Sequence, residues 1–503
     1  MMAATLTQRI VESFERNAER PCLRVPGGRD WSYGELNRLA EKLAGLLAGV
    51  PVAGGDRVLV QVEKSPEAVA LYLACLRLGA VYVPINTAYT GSEVEYFLRD
   101  AEPSLFVCRP SVQPALAEIA GSVPVLTLGA DGDGSLLEGA LKAEARDEAE
   151  PRDPADLAAI LYTSGTTGRS KGAMLSQGNL LSNAESLLEC WVWRDDDVLL
   201  HALPIFHVHG LFIALHCAFL SGTPVTFLAK FDPEAIVECL PESTVLMGVP
   251  TFYTRLLDFP GFGADVCRNM RLFISGSAPL TEATFHAWRE RTGFEILERY
   301  GMSETIIIAS NPLNGERLAG TVGFALPGME VRIADEEGKP LSGDDVGMIE
   351  VRGSSVFSGY WRMPEKTAEE IRPDGFFVTG DLGRMDADGR VTIVGRSKDL
   401  VISGGYNVYP KEVERLIDEL PGVVECAVIG VPHPDFGEAV VAVVVPENEE
   451  VSERSVAAGL DGQLARFKQP KRVINIGELP RNAMGKVQKN ELRERFADLF
   501  AQS

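Results

Sequence analysis

From Tyr162 to Gly172 the chain reads Tyr-Thr-Ser-Gly-Thr-Thr-Gly-Arg-Ser-Lys-Gly, a run of small hydroxyl and glycine residues ending on a cation. Such a run suits a polyphosphate. Glycines admit close approach of the backbone, N–H groups and hydroxyls donate to phosphate oxygens, and the lysine adds a point charge. An apolar, strand-like stretch, Leu157 to Leu161, leads into it. The common P-loop has four residues between its glycines and then Gly-Lys-Ser/Thr. Here two residues separate Gly165 from Gly168, and Lys171 comes three later. Hydroxyl- and glycine-rich stretches after strands also serve as plain loops. The chemistry these residues allow is the consumption of a nucleoside triphosphate.

Four further segments carry reactive or small side chains. Arg271 to Leu280 (Arg-Leu-Phe-Ile-Ser-Gly-Ser-Ala-Pro-Leu) turns from an apolar strand into small residues against which a flat base could lie. Glu298-Arg299-Tyr300-Gly301-Met302-Ser303-Glu304-Thr305 sets carboxylates around an aromatic ring. Thr379-Gly380-Asp381-Leu382 offers one carboxylate, and Pro480-Arg481-Asn482-Ala483-Met484-Gly485-Lys486 ends on a lysine near the C-terminus. Taken singly, such pieces are ordinary turns and surface charges. In this order they closely resemble the motifs of the adenylate-forming superfamily, which contains acyl-CoA synthetases, peptide-synthetase adenylation domains and luciferases.

That resemblance implies roles. Thr163, Ser164, Gly165, Thr166, Thr167, Gly168 and Lys171 would hold the ATP phosphates. Gly276, Ser277 and Ala278 would border adenine, and Glu298 to Ser303 (Glu298, Arg299, Tyr300, Gly301, Met302, Ser303) would complete the nucleotide site with Tyr300 stacked on the base. Glu304 would hold Mg²⁺, a cation that favours hard oxygen ligands shared with phosphates. Asp381, assisted by Arg396, would hold the ribose diol. Lys486 would bridge the two anions that meet when a carboxylate attacks the α-phosphorus, an electrostatic stabilisation of the transition state. Lys398 matches the family's hinge, and Gly404 and Gly405 match the region brought to a coenzyme A thiol after the C-terminal domain rotates.

The acyl side resembles malonyl-CoA synthetases. The matching segments are Gly248 to Leu257, His201 to Phe212, Gly359 to Thr367 and Ser403 to Glu412. By this resemblance Arg255 grips the distal carboxylate of a small diacid, and arginine suits that task as a planar bidentate donor. His207 borders the pocket and is counted with Glu304 and Lys486 among the catalytic residues. Val208 and Met302 shape the pocket, and Ser277 adds a hydroxyl. The spacing of His207 and His209 invites a metal, but no neighbouring cysteine or carboxylate motif supports one. The expected reaction is ligation of malonate, or methylmalonate, to coenzyme A through an acyl-AMP. The alternatives are a synthetase for another short acid and an adenylation enzyme that loads a carrier protein.

The rest of the chain must position these groups. Its 503 residues imply several domains, and its 48 basic against 71 acidic residues, net −23, argue against nucleic acid and anionic membranes as partners. Eight scattered cysteines without a Cys-x-x-Cys pair fit a reducing cytoplasm. Leu203 to Leu228 is apolar but broken by histidines, Pro204 and Gly210, so it reads as core. A capping box at Ser32 to Glu35 starts one helix, and Ser65-Pro66 starts another that Gly79 stops. Strands at 57–62, 81–83, 105–107 and 124–126 alternate with helices, one from Ser92, which implies parallel or mixed sheets in an α/β fold. Gly129 to Arg152 reads as an exposed connection. The expected division is a large N-terminal adenylation domain, 1–395, with a β-rich subdomain, and a small mobile α+β lid, 396–503. A monomer or weak homodimer is expected.

Overall fold

The computed structural model describes residues 4–50, 52–163, 170–404, 406–448, 451–482 and 485–500. Helix starts follow the local capping chemistry. Ser32 accepts from Glu35 N–H while Glu35 reaches back, opening Tyr33–Gly49. Ser65 caps Pro66–Leu78, and Gly79 closes it in the left-handed region at φ 67°. The helix expected from Ser92 begins at Gly91, because Thr90 and Glu93 form the capping box.

One expectation is overturned. Gly129 to Arg152 is not a bare connection but contains the helix Ser135–Lys142. Leu136 and Ala140, one turn apart, are buried, and Gly139 faces Leu46 of the helix Tyr33–Gly49. Two turns are too short for a visible hydrophobic period among charged flanks, so tertiary packing makes this helix. Its start is fixed by reciprocal bonds of 2.9 Å between Ser135 and Thr127.

Among the described residues the strands form four sheets. A six-stranded sheet runs Val125–Thr127, Leu105–Cys108, Arg57–Gln61, Val81–Pro84, Leu157–Thr163, Lys171–Ser176; its first five strands are parallel, and the last returns antiparallel. A nine-stranded sheet has a parallel centre of Ile296–Tyr300, Leu272–Ser275, Val245–Gly248, Leu199–His201 and Val225–Phe227. The expected β-rich part is the antiparallel sheet Met329–Ala334, Gly347–Gly353, Phe377–Met385 and Val391–Arg396.

A five-stranded sheet follows, built around the long pair Val423–His433 and Gly437–Pro446. Alternate residues of that pair feed separate apolar clusters, Val428 and Val440 into one, Ile429 and Val441 into the other. The main cluster of the large part ends at Val391, and the first buried member of the small one is Val401. Leu203 to Leu228 is buried as the π-helical turn His209–Leu215 and the helix His216–Ser221. Among the described residues no helix is long and apolar enough to cross a membrane.

Candidate functional site

Ligands of parallel α/β sheets bind beyond the carboxyl ends of the strands. Here those ends release the chemistry-bearing residues in turn. Leu199–His201 leads to His207 and His209, Val245–Gly248 to Thr251, Leu272–Ser275 to Gly276, and Ile296–Tyr300 to Glu304. Leu157–Thr163 ends at the hydroxyl-rich loop, of which Ser164, Gly165, Thr166, Thr167 and Gly168 lie outside the described residues, as does Gly405.

On the nucleotide side Asp381 and Lys171 each have a partner of opposite charge. Tyr300, buried, donates its hydroxyl to Asp381 Oδ2, and Arg396 Nε pairs with Asp381 Oδ1 at 2.7 Å. Lys171 Nζ pairs with Glu370 at 2.9 Å and stands 4.1 Å from the centre of the Tyr360 ring. Glu304 is buried without an ion-pair partner among the described residues. Its Oε1 lies 3.1 Å from Tyr360 OH and 3.5 Å from Thr163 Oγ1. Burial raises its pKa, against the pull of its hydrogen bonds and of Lys171 and Arg396. Ile306, two residues on, holds φ 60°, a strained conformation for a β-branched residue, and its carbonyl crowds Gly301.

The acyl side is different. In the strand Ile296–Tyr300 successive side chains point to opposite faces. Glu298 turns toward Gly320, whose N–H donates to it at 3.3 Å, and burial raises it to about 8. Arg299 turns the other way, over Gly276, where an added Cβ would collide with the guanidinium. Only 5% exposed, Arg299 leaves Nε and Nη2 without a hydrogen-bond partner among the described residues. Burial lowers it to about 9, so it remains a cation at neutral pH.

Its neighbours carry no compensating charge. Burial, then the Lys486 and Arg299 cations, hold His207 down at about 3, and burial with Arg299 lowers His209 as well. His207 Nδ1 accepts the backbone N–H of His209 at 3.2 Å, so the proton of the neutral ring sits on Nε2. Ser277 Oγ is 3.3 Å from His209 Nδ1, and Ser277 itself holds φ 70°. Val208 is buried and Met302 partly so.

Lys486 reaches this site from the small C-terminal part. Its tight turn is closed by paired backbone bonds of 2.9 Å, Asn482 N–H to Lys486 O and Gly485 N–H to Asn482 O. Gly485 abuts Thr251, to whose Oγ1 an added Cβ would stand at 3.4 Å. Burial first, then Arg396, lower Lys486 to about 8, with Asp381 and Glu304 acting to raise it and Arg299 to lower it. One ammonium thus feels the Asp381 and Glu304 carboxylates and the Arg299 guanidinium.

A family model for AMP-binding enzymes matches residues 10–361, and one for the AMP-binding enzyme C-terminal domain matches residues 412–486. The chain belongs to the AMP-binding enzyme family. A malonate–CoA ligase of Arabidopsis thaliana is 35% identical over 525 residues, covering 93% of this chain and 85% of the relative. An indoleacetate–CoA ligase of Aromatoleum aromaticum is 36% identical over 481 residues, covering 93% and 94%. ATP-bound MatB from Rhodopseudomonas palustris has 53% identity and a TM-score of 0.97, covering 99% of this chain and 100% of that one.

In this AMP-binding enzyme the remaining sequence candidates fall around the same cleft. Arg255 lies on the helix Pro250–Leu257, one turn past Thr251 and on its face, yet its side chain is exposed and forms no ion pair with a described residue. Lys398 is exposed in the single turn Ser397–Asp399 that links the strands Val391–Arg396 and Val401–Ser403. Gly404 holds φ 59° beside Phe436. Sequence reasoning missed Tyr360 and Glu370, which surround Lys171. Tyr360 sits within a quoted family segment, but nothing in the spacing of Glu370 marks it.

Proposed function

We propose that this AMP-binding enzyme joins malonate to coenzyme A through malonyl-AMP. In the first step a malonate carboxylate oxygen attacks the α-phosphorus of ATP, and the bond to pyrophosphate breaks. In the second, the coenzyme A thiol loses its proton and attacks the acyl carbon, and AMP leaves. The observation that carries the choice of acid is Arg299, a buried cation with free donors among neutral histidines. A buried charge needs a partner, and the distal carboxylate of a small diacid supplies it. The comparisons support the same reading: malonate–CoA ligases are among the relatives, and MatB stands at 53% identity against 36% for the indoleacetate ligase.

The other residues take roles around that pair. Arg255 stands at the mouth and steers or caps the same carboxylate. His207 directs its Nε2–H into the site and donates to the reacting carboxyl group. Lys486 bridges the carboxylate and the α-phosphate. Asp381 and Arg396 hold the ribose, and Lys171 meets the phosphates. Glu304 fits Mg²⁺, which takes one or two carboxylates and fills its shell from phosphates and water; when bound there, the ion would shield the polyphosphate charge. Residues 396–503 act as a lid turning at Lys398, with Gly404 and Gly405 facing the thiol in its second position. Val208 and Met302 decide whether a methyl at the α-carbon is accepted, a discrimination worth about 1–3 kcal/mol. The eight free cysteines support a cytoplasmic location.

The test is pyrophosphate release and thioester formation with malonate or acetate, with and without coenzyme A. Malonate is expected to drive release, and thioester to require coenzyme A, with acetate far slower. Equal rates for the two acids would overturn the diacid reading, and release with neither would overturn adenylation.

A further inference from the structure

Lys171 stands between two carboxylates, and the structure shows which one holds it. Glu370 takes the ammonium at 2.9 Å, while Glu304 is separated from it by a single phenol. Tyr360 OH donates to Glu370 Oε2 at 2.7 Å and lies 3.1 Å from Glu304 Oε1. A phenol has one proton to give, and the shorter contact assigns it to Glu370 rather than to Glu304.

The frame around these groups is rigid. Residues 358–361 are bonded to the strand that begins at Lys171, through Ser358 N–H to Met174 O at 3.0 Å, Met174 N–H to Gly359 O at 3.0 Å and Trp361 N–H to Gly172 O at 2.7 Å. Tyr360 N–H donates to Thr367 Oγ1 at 2.9 Å, which ties it to the helix Pro364–Glu370 that carries Glu370. Lys366 adds a second cation to Glu370 at 3.2 Å.

We propose that Glu370 is a positioning residue for nucleotide binding: it holds Lys171 over the Tyr360 ring and away from Glu304. The inference rests on the reading above, in which Lys171 meets phosphate and Glu304 meets the metal. An ammonium has three donors, so one spent on Glu370 leaves two for phosphate oxygens. Fixing a side chain before its ligand arrives lowers the ordering cost of binding. Without the Glu370 charge, the remaining carboxylate for Lys171 is Glu304. An ion pair there would remove both charges from the nucleotide at once.

The test is ATP binding, by calorimetry without acid or coenzyme A, in the wild type, Glu370→Gln, Glu370→Ala, Lys171→Gln and the double variant Glu370→Gln/Lys171→Gln. Each Glu370 substitution is expected to weaken ATP about tenfold, the scale of a charge-assisted contact. The Mg²⁺ concentration giving half-maximal ATP binding should rise by a similar factor. On the Lys171→Gln background, Glu370→Gln should change affinity less than about twofold, because coupled residues are not additive. Unchanged or tighter binding in Glu370→Gln, or an additive loss in the double variant, would overturn the proposal. Glu370→Gln is isosteric and carries the test if Glu370→Ala does not fold. The assay contains no acid, so a wrong assignment of malonate leaves its result untouched.

Discussion

Among the described residues two arginines are withdrawn from water, and they are treated in opposite ways. Arg77, 2% exposed, ends the helix Pro66–Leu78 in the core of the large domain. It donates to Asp147 O at 2.5 Å and Asn37 Oδ1 at 2.7 Å, and pairs with Glu41 at 3.3 Å. Arg299 is about as buried, yet it faces histidines that burial keeps neutral, and two of its nitrogens have no partner among the described residues. The first is a structural charge satisfied within the chain. The second has donors to spare, which is what the proposed grip on a diacid needs. The difference marks Arg299 more directly than its sequence motif does.

Removing Arg299 breaks the contrast most severely. Arg299→Met should lower kcat/KM for malonate about a thousandfold, corresponding to about 4 kcal/mol for the loss of one partner of a buried pair. Its thermal midpoint should hold or rise, since an uncompensated charge has gone; steady-state kinetics and a melting curve measure both. Arg77→Met should do the reverse. It leaves Glu41 and Asn37 without their partner and should destabilise the fold by about 3 kcal/mol, with KM for malonate and ATP unchanged, as denaturant titration and kinetics would show.

The third prediction concerns pH. In the proposed mechanism adenylation uses the charged form of Lys486, and burial has lowered that residue to about 8. Deprotonation as pH rises through that value removes the bridging cation, so kcat/KM for ATP should be level below it and fall about tenfold per unit above it. His207, held near 3, should contribute no limb between pH 5 and 8. Lys486→Arg, which stays charged, should abolish the alkaline limb whatever its absolute rate. The smallest effect belongs to Arg255. An exposed charge is worth up to about 1 kcal/mol, so Arg255→Ala should cost malonate about fivefold in kcat/KM and acetate almost nothing. A loss as large as that of Arg299→Met would reverse the ranking of the two arginines.

Much of the site was legible before the fold. The segments around Lys171, Glu304, Asp381 and Lys486 are contiguous motifs, so each arrived with its own neighbours, and the cleft only had to gather them. Capping residues and glycine stops marked the helices Tyr33–Gly49 and Pro66–Leu78 to within a residue or two. The Ser135–Lys142 helix was hidden because its burial depends on Leu46, far away in sequence. The direction of Arg299 was available in principle. Strand alternation separates it from Glu298 and Tyr300, but a motif read as one string hides which face each letter serves. Glu370 could not be found from sequence, since its meaning lies in a salt bridge to a lysine 199 positions away.

Gly276 gives the acyl pocket a property that concerns its history rather than its present chemistry. The guanidinium of Arg299 lies where any side chain at 276 would have to go. A single methyl there would force the cation out of its place. Ancestry could therefore trade a diacid for a monoacid in one mutational step, and selection for malonate would act on a hydrogen atom where every other residue type is too large.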